Sequence, residues 1–266
     1  MHTRFLAAFT CALLSLGATT AQAQAREEGK LLVAAQVLDE LREQSDQQIP
    51  QQLLQRAYGV AVIPDVTKAA FFLGGRHGTG VLSVRDSQGR FSNPLFIDFT
   101  GGSIGWQIGI QETDIVLVFV TKRGIEGIEH GTLTLGAGVS VAAGPLGRQG
   151  EAAVSTKAEI YAYSRARGLF AGAALDGTVI TISDSATGRF YGMPAAPAAD
   201  IISGAVTNNS DSVRRFLAAL TAHTGDAPAS HTHGAAAGTT PAATPGPAPV
   251  DSTTAPAQTF SLEDPK

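Results

Sequence analysis

Two histidines come first among the residues with chemical potential. His77 and His130 are the ones lying between the extreme N-terminus (His2) and the C-terminal stretch that holds His223, His231 and His233. Neither has a metal-ligating neighbour at useful spacing. His231-x-His233 has the donors for a divalent ion but sits in a stretch that offers no prebuilt geometry, so it reads as a polar spacer. Asp98, Glu112, Asp114, Glu151, Glu159, Asp176 and Asp184 are enough carboxylates for acid–base work, but nothing in their spacing sets two across a cleft. Glu159 lies between Lys157 and Tyr161 in alternating text, the pattern of a structural ion pair on one strand face. No G-x-S-x-G elbow marks a nucleophilic serine.

The stretch GGRHGTG (74–80) has the glycines of a phosphate loop. It lacks the Lys and Ser/Thr that would hold phosphate and magnesium, and the following VLSV reads as a strand rather than a helix. A hairpin connection is expected there. One cysteine, Cys11, excludes a disulfide framework and a thiolate-built metal site. The chemistry expected is therefore that of a non-enzyme, with no cofactor and no metal.

Binding remains. Lys122, Arg123, Arg148, Lys157, Arg165, Arg167 and Arg189 fall near turns and strand ends, where small basic clusters can meet phosphate headgroups at a membrane surface. A net charge of -4 and a pI near 5.8 argue against a nucleic-acid partner.

The elements that must position these residues are mostly strands. VAVI (60–63), AAFFL (69–73), VLSV (81–84), LFIDF (95–99), IVLVFV (115–120), 132–143, 151–164, LFAGAAL (169–175) and TVITIS (178–183) are short, β-branched runs. Thr132–Val141 alternates strictly and is expected as one strand, while Asp184–Gly188 reads as a turn. Gly124 and Gly127 weaken any helix after Lys122-Arg123.

Helices are expected at the ends. Leu31, Ala34, Leu38 and Leu41 recur at helical spacing, Gln51–Ala57 forms a short second helix, and Val213, Phe216, Leu217 and Leu220 mark one near the end of the fold. Ala198–Val206 is a further helical piece. The fold class expected is α+β: a strand-rich antiparallel or mixed sheet, curled toward a barrel, flanked by N- and C-terminal helices.

Both chain ends differ from this body. Residues 1–25 carry Arg4, the apolar run Phe5–Leu16 and A-x-A spacing at Ala21–Ala23 and Ala23–Ala25, the pattern of a secretory signal peptide. Residues 221–266 form an Ala/Thr/Pro-rich tail with no apolar periodicity. The domain expected between them spans 26–220.

HGTLTLGAGVSVAAGPLGRQGEAAVSTKAEIYAYSRARGLFAGAALDGTVI (130–180) closely resembles the core of the SYLF lipid-binding domain family, which includes fungal actin-patch proteins. AYGVAVIPDVTKAAFFLGGRHGTGVLSVRD (57–86), GRFSNP (89–94), GGSIGWQIGIQETDIVLVF (101–119) and RFYG (189–192) extend the likeness over roughly residues 31–220. The resemblance implies non-enzymatic binding of phosphoinositides or other anionic lipid, with an N-terminal amphipathic helix at the membrane. With the leader, the chain is expected to be a bacterial, exported member of the periplasm or extracellular space, peripheral on envelope membrane or bound to an envelope protein, and not an actin binder. The candidate lipid-binding residues are Lys30, Leu31, Leu38, Leu41, Lys122, Arg123, Arg148, Arg165 and Arg167. The helix holding the first four carries a local net charge of -2 across Arg26–Gln44, which a strongly anionic surface does not favour.

Overall fold

Strands that are apolar at every position must be covered on both faces, and the middle of this chain contains several. The computed structural model describes residues 24–43, 48–70, 73–86, 88–104, 109–129, 131–146, 158–166, 169–194 and 196–224. Nearly all of the expected leader (1–23 of 1–25) and of the expected tail lies outside these residues. The chain divides into two units, Met1–Ala229 and Ser230–Lys266, and everything below belongs to the first.

Helix α1 (24–43) and α2 (Gln51–Gln55) precede four long strands, β1 (Gly59–Ala70), β2 (Leu73–Val84), β3 (Leu95–Ile104) and β4 (Gly109–Phe119). Then come α3 (Lys122–Glu129), β5 (Thr132–Thr134), β6 (Val141–Ala143), β7 (Ile160–Ala166), β8 (Leu169–Gly172) and β9 (Val179–Ile182). Helices α4 (Asp184–Tyr191), α5 (Ala198–Ile202) and α6 (Asp211–Thr224) close the fold. The strands form one sheet in the order β5-β9-β3-β2-β1-β4-β7-β6, with β8 also paired to β7. All pairings are antiparallel except β6 with β7. This is an α+β fold whose mixed sheet curls into a half-barrel flanked by helices.

Alternation sorts the strand residues onto two cores. Val60, Val62, Val81, Phe96, Val116, Val118, Tyr161 and Tyr163 pack with α1, α2, α4 and α6. Ala61, Ile63, Leu82, Ile97, Phe99, Leu117, Phe119 and Ile160 point the other way, toward Ile125 and Ile128 of α3, Leu133 of β5 and Ile201 of α5. Past a bulge in β1 at Pro64-Asp65, Val66 still joins the second core. The strands there continue as text of glycine, threonine and charge: 66–70, 73–80, 100–104 and 109–113. Asp65 sits at φ 50°, and its amide donates to Asp114 Oδ1 at 3.0 Å, which holds the bulge.

Five local expectations are corrected. GGRHGTG belongs to β2, paired on both sides by β1 and β3, and is no hairpin connection. Its glycines allow close approach to the bulge: a Cβ on Gly80 would stand 2.4 Å from the Val62 carbonyl oxygen. Residues 132–143 are two strands, because Gly136 at φ 82° donates to Val139 O and turns the chain between them. Lys122–Glu129 is helical despite Gly124 and Gly127. Ile125 and Ile128 are buried, and tertiary packing offsets the low propensity. Asp184–Gly188 starts helix α4, which Gly192 closes in the left-handed region (φ 66°) by donating to Gly188 O. Helix α6 extends to Thr224, four residues into the segment expected as tail.

Candidate binding site

Helix α1 is held down by its own acids. Glu27 is wholly buried and receives Lys30 Nζ and Arg189 Nη2, both at 2.8 Å. Burial alone would raise its carboxyl, but the hydrogen bonds and charges of Lys30 and Arg189 outweigh that and hold it below its ordinary value. Asp39 pairs with Arg215 of α6, and Glu40 pairs with Arg165 of β7. Arg165 also reaches Asp114 of β4 at 2.5 Å, so one guanidinium joins α1 to two strands. The acidic balance of α1, ill suited to an anionic surface, matches the arginines of the body instead.

The same docking buries the leucines expected to contact lipid. Leu31, Leu38 and Leu41 are 0–2% exposed and belong to the first core. The apolar side chains that α1 leaves outside are Leu32, 49% exposed, and Val33, 39% exposed. The basic candidates do not converge. Lys30 is engaged by Glu27 and Arg165 by two carboxylates, whereas Lys122 and Arg123 belong to α3 on the opposite face of the sheet. Lys122 pairs loosely with Glu126 (3.7 Å) and Arg123 with Glu159 (3.9 Å). Glu159 also accepts the Ser140 amide at 2.9 Å, the structural role expected of it, though with Arg123 as its cation. Arg148, Lys157, Arg167, Glu151 and His130 lie outside the described residues.

A concave site does form, at the first turn of α1. Arg26, Gly29, Lys30 and Val33 face Pro64, Asp65, Thr67, His77, Gly78 and Thr79 across a notch of about 410 Å³. The β1 bulge makes one wall. Thr67 and His77 lie opposite one another in the β1–β2 ladder, and His77 Nδ1 lies 3.3 Å from Thr100 Oγ1. Two cations, the Asp65 carboxylate, an imidazole and two hydroxyls thus surround a space edged by exposed Val33. Such a set can bind an anionic or hydrogen-bonding group; it contains no nucleophile–base–acid arrangement. Among the described residues no three His, Cys, Asp or Glu side chains gather as a metal site, and no helix is long and apolar enough to cross a membrane.

Sequence reasoning did not single out Arg26, Thr67 or Thr79, nor the partners Glu27 and Arg215. Pro64-Asp65 inside a β-branched run was the available signal for the bulge.

Residues 100–223 match the family model described as "Ysc84: Las17-binding protein actin regulator". "LAS seventeen-binding protein 3" of Saccharomyces cerevisiae is 42% identical over 153 residues, covering 56% of this chain and 33% of that protein. "SH3 domain-containing YSC84-like protein 1" of Xenopus laevis is 35% identical over 181 residues, 65% of this chain and 54% of its own. The human protein of that name is 35% identical over 166 residues, 59% and 48% respectively. The chain thus spans a third to about half of the length of these curated relatives.

These findings support likeness to the SYLF/Ysc84 domains and correct four expectations. The matched relatives are fungal and vertebrate, so a bacterial source is overturned. Export to a periplasm or extracellular space and residence on an envelope membrane conflict with that eukaryotic set. A partnership with lipid or an envelope protein that leaves actin aside conflicts with a model described as an actin regulator. The matched model is described as a binding protein and actin regulator, a binding role and not a catalytic one.

Proposed function

We propose that the chain works in actin regulation as a protein-binding module, engaging a Las17-type protein or the actin filament through the open end of its sheet. The observation that carries this reading is where the family likeness falls. The match to the actin-regulator model covers residues 100–223, which takes in the open ends of β3 and β4 and helices α3 to α6. Among the described residues of these strand ends, Asp65, Thr67, His77, Thr100 and Glu112 are exposed, a polar set suited to a protein partner. Co-sedimentation of the full chain with filamentous actin, and retention on immobilised Las17, test it. The chain is expected to pellet with actin or be retained by Las17; failure in both would end the reading.

A second, finer reading is favoured by the notch: it takes a phosphate-bearing lipid headgroup. Arg26, Lys30, His77, Thr67 and Thr79 supply charge and donors, and Leu32 and Val33 supply an apolar edge beside them. This version leaves Leu31, Leu38 and Leu41 in the core. Flotation with vesicles containing phosphatidylinositol phosphates should then be weakened by Leu32→Ser with Val33→Ser. Binding indifferent to that pair and to Arg26→Gln would remove the notch from consideration.

A further inference from the structure

Helix α1 is docked along one side and bare along the other. Leu31, Ala34, Leu38 and Leu41 are buried, whereas the adjacent Leu32 and Val33 are among the few large apolar side chains exposed in the described residues. A seam runs through this pair. Arg26, Gly29, Val33, Gln36 and Glu40 follow one another at alternating spacings of three and four, which sets them on one line along the helix, with Leu32 at its flank. One helix packs along another with that spacing. Here Arg26, Val33 and Gln36 are exposed and Gly29 and Glu40 are half-buried, so the described part of the chain leaves the line open.

Gly29 fits a close approach by a second backbone. It lies inside the helix, where glycine lowers stability relative to alanine. A Cβ there would meet nothing within 4 Å, so the fold of one copy does not call for glycine at this position, whereas a helix packed against it would. Charge sets the direction of such packing. Arg26 near the start of α1 and Glu43 at its end are exposed, and neither has an ion-pair partner among the described residues. Arg26 lies seven residues before Val33, and Glu40 seven after it. Two α1 helices meeting antiparallel at Val33 therefore bring Arg26 of each copy level with Glu40 of the other and within one turn of Glu43. Parallel pairing would set like charge on like.

We propose that the bare face of α1 is a self-association surface that takes α1 of a second copy, antiparallel, about a two-fold axis at Val33. Leu32 and Val33 form its apolar centre, Gly29 lets the backbones close, and Arg26 with Glu43 at each end fixes the direction. The two-fold axis makes every contact occur twice, so the same short stripe serves both copies. One helix pair is a small interface, and the dimer is accordingly weak and concentration-dependent, in the micromolar range or above. The pairing is independent of the actin and Las17 reading, and either can fail without the other. It competes with a lipid headgroup for the apolar edge beside the notch.

Sedimentation equilibrium of the full chain over a concentration series tests the surface. The wild type is expected to pass from monomer to dimer. Leu32→Ser with Val33→Ser should weaken association about tenfold or more, through loss of the central contacts. Gly29→Gln should weaken it by a similar factor while raising the melting temperature, because the new side chain favours the helix and fills the seam. Arg26→Glu and Glu43→Arg should each weaken association about threefold, and an equimolar mixture of the two variants should associate at least as tightly as wild type, since opposite charges then face each other across the axis. A monomer at every concentration up to about 1 mM, or a dimer indifferent to Leu32→Ser with Val33→Ser, overturns the proposal. No recovery in the mixture overturns the antiparallel register. Vesicle flotation lost with Leu32→Ser and Val33→Ser, in a chain that stays monomeric throughout, gives the edge to lipid and likewise overturns it.

Discussion

One sheet serves two purposes, and the same four strands show both. In the covered half, 59–63 of β1, 81–84 of β2, 95–99 of β3 and 115–119 of β4 are apolar and buried on both faces, with Asp98 and Ser83 the polar interruptions. In the open half the same strands read PDVTKAA, LGGRHGTG, TGGSI and GIQETD. Hydrogen bonding between strands continues through both halves, so pairing alone does not require side-chain cover. What changes is the supply of apolar surface: the covered half stabilises, and in the proposed reading the ends beyond the bulge meet the partner. A strand can change its task midway when its composition changes while its register holds.

The first way to break this comparison is to attack the covered half. Phe216 of α6 is fully buried in the first core, and Phe216→Ala should lower unfolding free energy by about 3–5 kcal/mol in chemical denaturation. A comparable loss from an open-half substitution would erase the distinction. Next in size is the bridge between the halves. Arg165→Met leaves Asp114 and Glu40 without their shared cation and should cost about 2–3 kcal/mol by the same measurement, discounted for the partial exposure of the pair.

Glu27 sharpens the account through pH. Its folded-state carboxyl lies below the ordinary value of 4.5, so its contribution is fully present above that value and is lost as pH falls through the folded one. The stability difference between wild type and Glu27→Gln, about 1–2 kcal/mol near neutrality, should therefore shrink as thermal melts are run at pH below about 4.5. A difference that grows on acidification would refute the pairing with Lys30 and Arg189. The smallest effect belongs to the open half. Thr79→Ala removes a hydroxyl from the notch wall and should change stability by less than about 0.5 kcal/mol.

Legibility in the sequence followed the same division. Where the text was apolar and β-branched, strand type and fold class could be read directly, because periodicity reports burial. The helix of Leu31, Ala34, Leu38 and Leu41 was legible as amphipathic, but a stripe of leucines does not say whether a membrane or the protein's own sheet covers it. The answer lay in residues far apart in sequence, Arg165, Arg189 and Arg215, whose pairing with Glu40, Glu27 and Asp39 only the fold reveals. The open strand ends were misread for a different reason. Glycines in GGRHGTG looked like a turn, since propensity is local, while the bulge they accommodate belongs to the neighbouring strand. Helices α3 and α4 were missed because tertiary packing of Ile125, Ile128 and Phe190 overrides weak local preference.

The central claim is that the covered half is scaffold and the open half is the binding part. Amide hydrogen exchange of the full chain, with and without filamentous actin, tests it most directly. The account predicts slowed exchange in 64–80 and 100–114, with 59–63, 81–84 and 115–119 unchanged. Slowing confined to α3 or to the covered strands, or no slowing anywhere, would contradict it.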